Sequence, residues 1–268
     1  MTAVLGHLDE VILFVANRSH SICAFNSMIL ESASKCSRQR FGEIEAVDRT
    51  LHRIAQGYLR FRAEFLAESG DFYRTLAEQG QKPRVAIISC SDSRVDPAVI
   101  TDTKPGDMFV LRNVANLIPE RTSETAWGVR AALQFAVEVL EVEHFIVCGH
   151  SGCGGIQGAR RNQVIGPQGQ HLEDLSVWLR HLSEKFAPLE AQAEELEPEL
   201  RDELYEKVGI INSLGNLFTF PEIERRVKEG RLHLHGWYFD IKRGELLAFD
   251  AVTYGFVPFD TLVKAHGS

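Results

Sequence analysis

The chain has 268 residues, 44% of them hydrophobic and 25% charged, with a formal net charge of −8. That is enough for one large α/β domain, while the acidic balance speaks against a nucleic-acid binder, which would carry a basic stripe. No apolar run approaches the roughly 20 residues that cross a bilayer, so no membrane span is expected.

Near the start, Val11-Ile12-Leu13-Phe14-Val15-Ala16 is apolar but short, and Asp9 and Glu10 stand where a secretory leader would carry positive charge. The expected address is therefore the cytoplasm. The five cysteines, Cys23, Cys36, Cys90, Cys148 and Cys153, are an odd number scattered over a long chain. In a reducing compartment that pattern suits metal or catalytic use better than a disulfide framework.

Residues 1–45 are rich in Ser and Asn and weakly periodic, and are read as an N-terminal extension. Residues 46–80 are read as a helical arm. Leu51, Ile54, Leu59, Phe61, Phe65 and Leu66 recur at intervals near three and four, Gly70 breaks the run, and a short helix over Phe72–Ala77 follows.

From residue 81 onward the period changes. Arg84–Cys90 is a continuous, β-branched run of the kind found in buried parallel strands, and Met108–Arg112 and His144–Gly149 are two more. Between the last two, Glu124–Leu140 reads as a helix capped by Ser123 or Thr122. A glycine-rich turn after Gly149 leads into another helix, and Leu172–Phe186 is helical. Glu190–Lys207 is acidic and reads as a solvated helical face. Ile210–Phe218 and a helix after Pro221 precede two strands, Leu232–Ile241 and Glu245–Val252, joined at Arg243-Gly244 in a hairpin. The fold class is α/β. A central, mostly parallel sheet of about four strands plus an antiparallel edge strand is flanked by helices.

Two motifs follow the carboxyl ends of strands, where open α/β sheets bind ligands. They are Cys90-Ser91-Asp92-Ser93-Arg94 and His150-Ser151-Gly152-Cys153. Cys90, His150 and Cys153 offer two thiolates and one imidazole, a donor set that suits zinc. A structural zinc would want a fourth protein ligand. Cys148 lies inside its strand, which leaves Asp92 or water for the fourth position. Pairing with Arg94 favours ionised Asp92 and fixes its orientation. Release from Arg94 would let Asp92 swing to the metal, making one rotamer an on/off switch. His233 and His235 share one strand face and read as core or edge histidines. The glycines from Gly149 to Gly155 are expected to let backbone approach the metal and to free N–H groups at a helix start.

These blocks resemble the β-class carbonic anhydrases, bacterial and cyanobacterial members in particular. The resemblance runs through Cys90–Val95, Gly106–Asn113, Gly149–Gly155 and Leu234–Trp237, and makes residues 81–268 the catalytic domain. It implies one Zn2+ per subunit on Cys90, His150 and Cys153, with Asp92 and Arg94 as a catalytic pair. It implies reversible hydration of CO2 to bicarbonate and a proton, with hydroxide on the metal as the attacking group. It also implies a homodimer or larger homo-oligomer with each site at a subunit interface, and a substrate pocket drawn from Gln81, Phe109, Phe135 and Gly154. Some such relatives work in carboxysomes, which would add a scaffold partner. Ile87 and Phe239 stand where other members carry the Trp and Tyr of an inhibitory bicarbonate site, so that site is expected to be absent. Two thiolates neutralise the zinc dication, so activity should rise through mildly alkaline pH. The competing readings are hydrolysis of carbonyl sulfide or carbon disulfide on the same scaffold, and a zinc-stabilised scaffold protein without turnover.

Overall fold

A computed structural model describes residues 49–65, 67, 70–161 and 164–261. The extension at 1–45, with Cys23 and Cys36, and the arm position Leu66 lie outside the described residues. The described chain divides into two compact units between Arg74 and Thr75.

In the first unit α1 spans Arg49–Glu64, and α2, Gly70–Gln79, begins. Gly70 opens α2, so the second helix is longer than the expected Phe72–Ala77. No residue of α1 is buried, and Leu51, Ile54, Tyr58, Leu59 and Phe61 are all exposed. Phe61, Phe65 and Tyr73 form an aromatic cluster.

The second unit is built on a six-stranded sheet in the order β2-β1-β3-β4-β5-β6. The strands are β1 (Val85–Cys90), β2 (Met108–Asn113), β3 (His144–His150), β4 (His233–Asp240), β5 (Glu245–Asp250) and β6 (Gly255–Pro258). The first four pair in parallel; β5 and β6 are antiparallel. The expected parallel core and hairpin are present, and β6 adds a second antiparallel strand. Val85–Cys90 is almost wholly buried, as a strand covered on both faces must be.

The helices of this unit are α3 (Pro97–Thr101), α4 (Trp127–Gln134), α5 (Gly154–Arg160), α6 (Glu173–Phe186), α7 (Glu190–Ala193), α8 (Pro198–Leu217) and α9 (Pro221–Lys228). Helix α4 starts later than the expected Glu124 and continues as a wide π turn over Phe135–Val139. Its cap is Ala126, with no side-chain bond. The expected cap Ser123 is occupied instead by Thr125 and His181. Ala86, Ile88, Phe145 and Val147 pack on one face of the sheet with Leu133, Val137, Ile210 and Phe220. A second cluster, at the carboxyl ends of the strands, joins Cys90 and Cys153 to Ile156, Leu179, Leu182 and Tyr205.

The acidic stretch at 190–207 is mostly exposed, as expected, but its end turns inward. In α8, Tyr205, Glu206, Gly209, Ile210, Ser213, Asn216 and Leu217 are buried at spacings of three and four. Glu206 is therefore on the inward stripe. Among the described residues no helix is long and apolar enough to cross a membrane.

Candidate metal centre

Strands β1 and β3 are neighbours, and that adjacency brings the two motifs together. Cys90 ends β1, His150 ends β3, and Cys153 precedes α5. One ligand atom from each lies within 4.8 Å of the others, and all three residues are buried. The two sulfurs stand 3.8 Å apart. Thiolates sharing a tetrahedral zinc at about 2.3 Å from each sulfur would stand about 3.8 Å apart. His150 Nδ1 faces the Ser151 carbonyl oxygen at 2.9 Å and must donate to it, so the neutral ring carries its lone pair on Nε2. That Nε2 is buried and among the described residues has no hydrogen-bond partner. A buried, unsatisfied acceptor beside two thiols is costly unless something binds it, and the donor set fits zinc.

The sulfur–sulfur contact pulls the Cys90 thiol well below its ordinary pKa, with His150 helping against burial. The same contact, with burial, pushes Cys153 up. Cys148 is buried, its pKa pushed up to about 12 by desolvation, and it lies outside the ligand group; it shares the strand face of His150, two residues on, but sits further back along β3 among Ile87 and Ile146.

Asp92 lies in the loop after β1. Arg94 grips it through Nε to Oδ1 at 2.9 Å and Nη2 to Oδ2 at 2.7 Å. These bonds hold the carboxyl far below the usual carboxylate range, with the Arg94 backbone N–H adding to them. Arg112 pins the loop from β2, donating to Cys90 O at 3.1 Å, Asp92 O at 2.7 Å and Val95 O at 2.6 Å. Its third arm pairs with Asp96.

The glycines divide by role. A Cβ at Gly149 would meet Ile210 at 2.8 Å, and one at Gly155 would meet Val114 at 2.8 Å, so both serve packing and not approach to the metal. Gly152 takes φ +69, and Gly154 faces open space beside Cys153.

Gln81 is not brought to this chain's own metal group. It is exposed ahead of β1, and the six-residue strand to Cys90 spans about 20 Å. Phe109 pairs in register with Ala86, four residues before Cys90, and packs on Phe135 with ring centroids 5.7 Å apart. His235 Nε2 contacts His144 Nδ1 at 3.1 Å, and His233 stacks on His144, so neither joins the metal group. A cleft of about 840 Å³ lined by Met108, His144, Ile146, His235, Trp237 and Phe259 is separate from the three ligands. Ile87 and Phe239 are both hydrocarbon and belong to different apolar clusters.

Sequence reasoning missed Glu206. Its Oε1 accepts from Cys153 N at 3.0 Å and its Oε2 from the Tyr238 hydroxyl at 2.8 Å. The helical period running back from Leu217 and Ser213 through Ile210 was the signal that could have found it.

A family model described as carbonic anhydrase matches residues 85–246. A carbonic anhydrase from Synechocystis sp. is 36% identical over 215 residues, 80% of this chain and 77% of that one. The solved structure of the β-carbonic anhydrase CcaA superposes with a TM-score of 0.73 at 36% identity, covering 79% of this chain and 92% of that one. A tetrameric β-carbonic anhydrase from Sordaria macrospora gives 0.67 at 29% identity, covering 76% and 98%. With its metal-ligand group and its sheet, this chain belongs to the β-class carbonic anhydrase family.

Proposed function

We propose that this chain catalyses the zinc-dependent, reversible hydration of CO2 to bicarbonate and a proton at Cys90, His150 and Cys153. The observation that carries the reading is the ligand geometry, with an orphaned His150 Nε2 and a 3.8 Å sulfur pair, set beside a carboxylate held by Arg94. Zinc held there supplies a Lewis acid that makes water ionise near neutral pH.

Asp92 Oδ2 lies 3.8 Å from His150 Nε2 and so faces the metal group as a charged hydrogen-bond acceptor. It accepts a hydrogen bond from the attacking group and orients it. Arg94 keeps the carboxylate ionised and turned to itself. Such a pair has no purpose in a purely structural zinc site, which argues against a scaffold without turnover. Gly154 leaves space for substrate beside Cys153.

A homo-oligomer completes the site in this reading. Gln81 precedes β1, Phe109 pairs with Ala86 four residues before Cys90, and Phe135 packs on Phe109; in this reading the three line the pocket of a second copy. The exposed apolar residues of α1 supply the surface for such an association. Residues 46–80 then act as an arm and 81–268 as the catalytic domain. In this reading the protein works in the cytoplasm, a carboxysome included, a reducing setting that suits the buried free thiols Cys90, Cys148 and Cys153.

Stopped-flow CO2 hydration, with and without a zinc chelator, tests the assignment. Turnover that disappears with the metal and returns with added zinc is expected. Zinc-loaded protein without hydration activity would refute it.

A further inference from the structure

One peptide bond near the metal centre is gripped from both sides. The Gly152 carbonyl oxygen accepts from Arg94 Nη2 at 3.0 Å. The N–H of the same peptide, that of Cys153, donates to Glu206 Oε1 at 3.0 Å. Glu206 comes from the middle of α8 and is 3% exposed. Its other oxygen is taken by the hydroxyl of Tyr238 on β4, itself buried. A carboxylate withdrawn from water is costly unless its oxygens are hydrogen-bonded, and here both are.

We propose that Glu206 is a positioning residue for catalysis: from α8 it fixes the one peptide that leads into ligand Cys153 and supplies the backbone acceptor for Arg94. The peptide follows a glycine at φ +69, so its plane can turn at little steric cost. A flip would aim the Gly152 carbonyl at Glu206, oxygen against carboxylate oxygen, and take it away from Arg94. Arg94 Nη2 divides itself between Gly152 O and Asp92 Oδ2. Losing the first partner frees the guanidinium and loosens its hold on Asp92. Glu206 thus orients a metal ligand and the acid/base pair through the two ends of a single amide. Outer partners of this kind are worth about 10–100-fold in metal affinity or activity.

The inference rests on the reading of Cys153 as a zinc ligand. The test compares Glu206→Leu, Glu206→Asp and Glu206→Gln with Cys153→Ala. It reads zinc release to a chromogenic chelator and the visible spectrum of the cobalt-substituted protein. The Leu and Asp variants are expected to release zinc about 10–100-fold faster and to shift the thiolate-to-cobalt bands. The Asp variant keeps the charge but falls short of the Cys153 N–H, and it carries the test if the Leu variant does not fold. The Gln variant should restore both readouts, because its carbonyl accepts from Cys153 and its NH2 donates to Tyr238. Wild-type release and spectrum in the Asp variant, or a Gln variant as impaired as the Asp variant, would overturn the assignment. Cys153→Ala that keeps zinc would overturn the ligand reading instead; loss of zinc there with a silent Asp variant removes only the role of Glu206.

Discussion

Asp92 faces His150 without joining it. Its Oδ2 lies 3.8 Å from His150 Nε2, while Arg94 holds the same oxygen at 2.7 Å. The carboxylate stands beside the metal-binding group while the Arg94 guanidinium and backbone N–H hold it turned away.

Arg94→Ala should therefore release Asp92 toward the metal. Zinc content is expected to stay at one per chain while hydration falls steeply, and the cobalt spectrum should change as a carboxylate enters the coordination sphere. Asp92→Asn should also keep zinc, and slow turnover by about 100-fold through loss of the charged acceptor that orients the attacking group. Metal analysis alongside stopped-flow rates checks both; loss of zinc in either variant would contradict the switch.

The cysteines should separate cleanly. Cys153→Ala is expected to lose zinc, since it removes one of three ligands. Cys148→Ala should keep both zinc and rate, because that thiol is buried outside the ligand group and its pKa is pushed up to about 12. Metal stoichiometry after dialysis distinguishes them.

Stability should fall in mild acid. Burial lowers the His235 pKa to about 4, with His144 and His233 adding repulsion. Between about pH 4 and the ordinary value near 6.5, the unfolded chain binds a proton that the folded one excludes. The contribution is full above about 6.5 and is lost as pH falls toward about 4. Urea midpoints at pH 7, 5.5 and 4.5 should decline in the native chain and decline less in His235→Asn.

Association can be tested on α1. Leu51→Asp with Ile54→Asp places two charges on its exposed apolar residues, and sedimentation should show smaller species than the native chain forms. An unchanged sedimentation profile would mean that another surface joins the copies.

Packing against β3 should be equally unforgiving. Gly149→Ala puts a methyl 2.8 Å from Ile210, which is fully buried. Overpacking of this kind costs about 1–3 kcal/mol, measurable as a lowered denaturation midpoint.

The parallel strands, the hairpin and the three ligands were legible because their signals are local: β-branched runs, a turn dipeptide, and sulfur and imidazole at strand ends. What escaped depended on tertiary partners. Glu206 sits in a stretch whose composition reads as solvated, and only the period set by Ile210 and Ser213 betrays its inward direction. Ser123 has the chemistry of a helix cap but is engaged by His181 from α6, and α4 starts at Trp127 behind Ala126, a cap with no side-chain bond. Gly149 and Gly155 looked like approach glycines for a metal; the side chains of Ile210 and Val114, distant in sequence, are what require them.

Gln81 lies ahead of the strand that Cys90 ends. If the pocket needs both, no solitary chain can assemble it, and turnover becomes tied to how often copies meet. Specific activity would then fall on dilution and recover on concentration with no effector involved. Dense packing alone would keep the enzyme working, and dispersal would silence it.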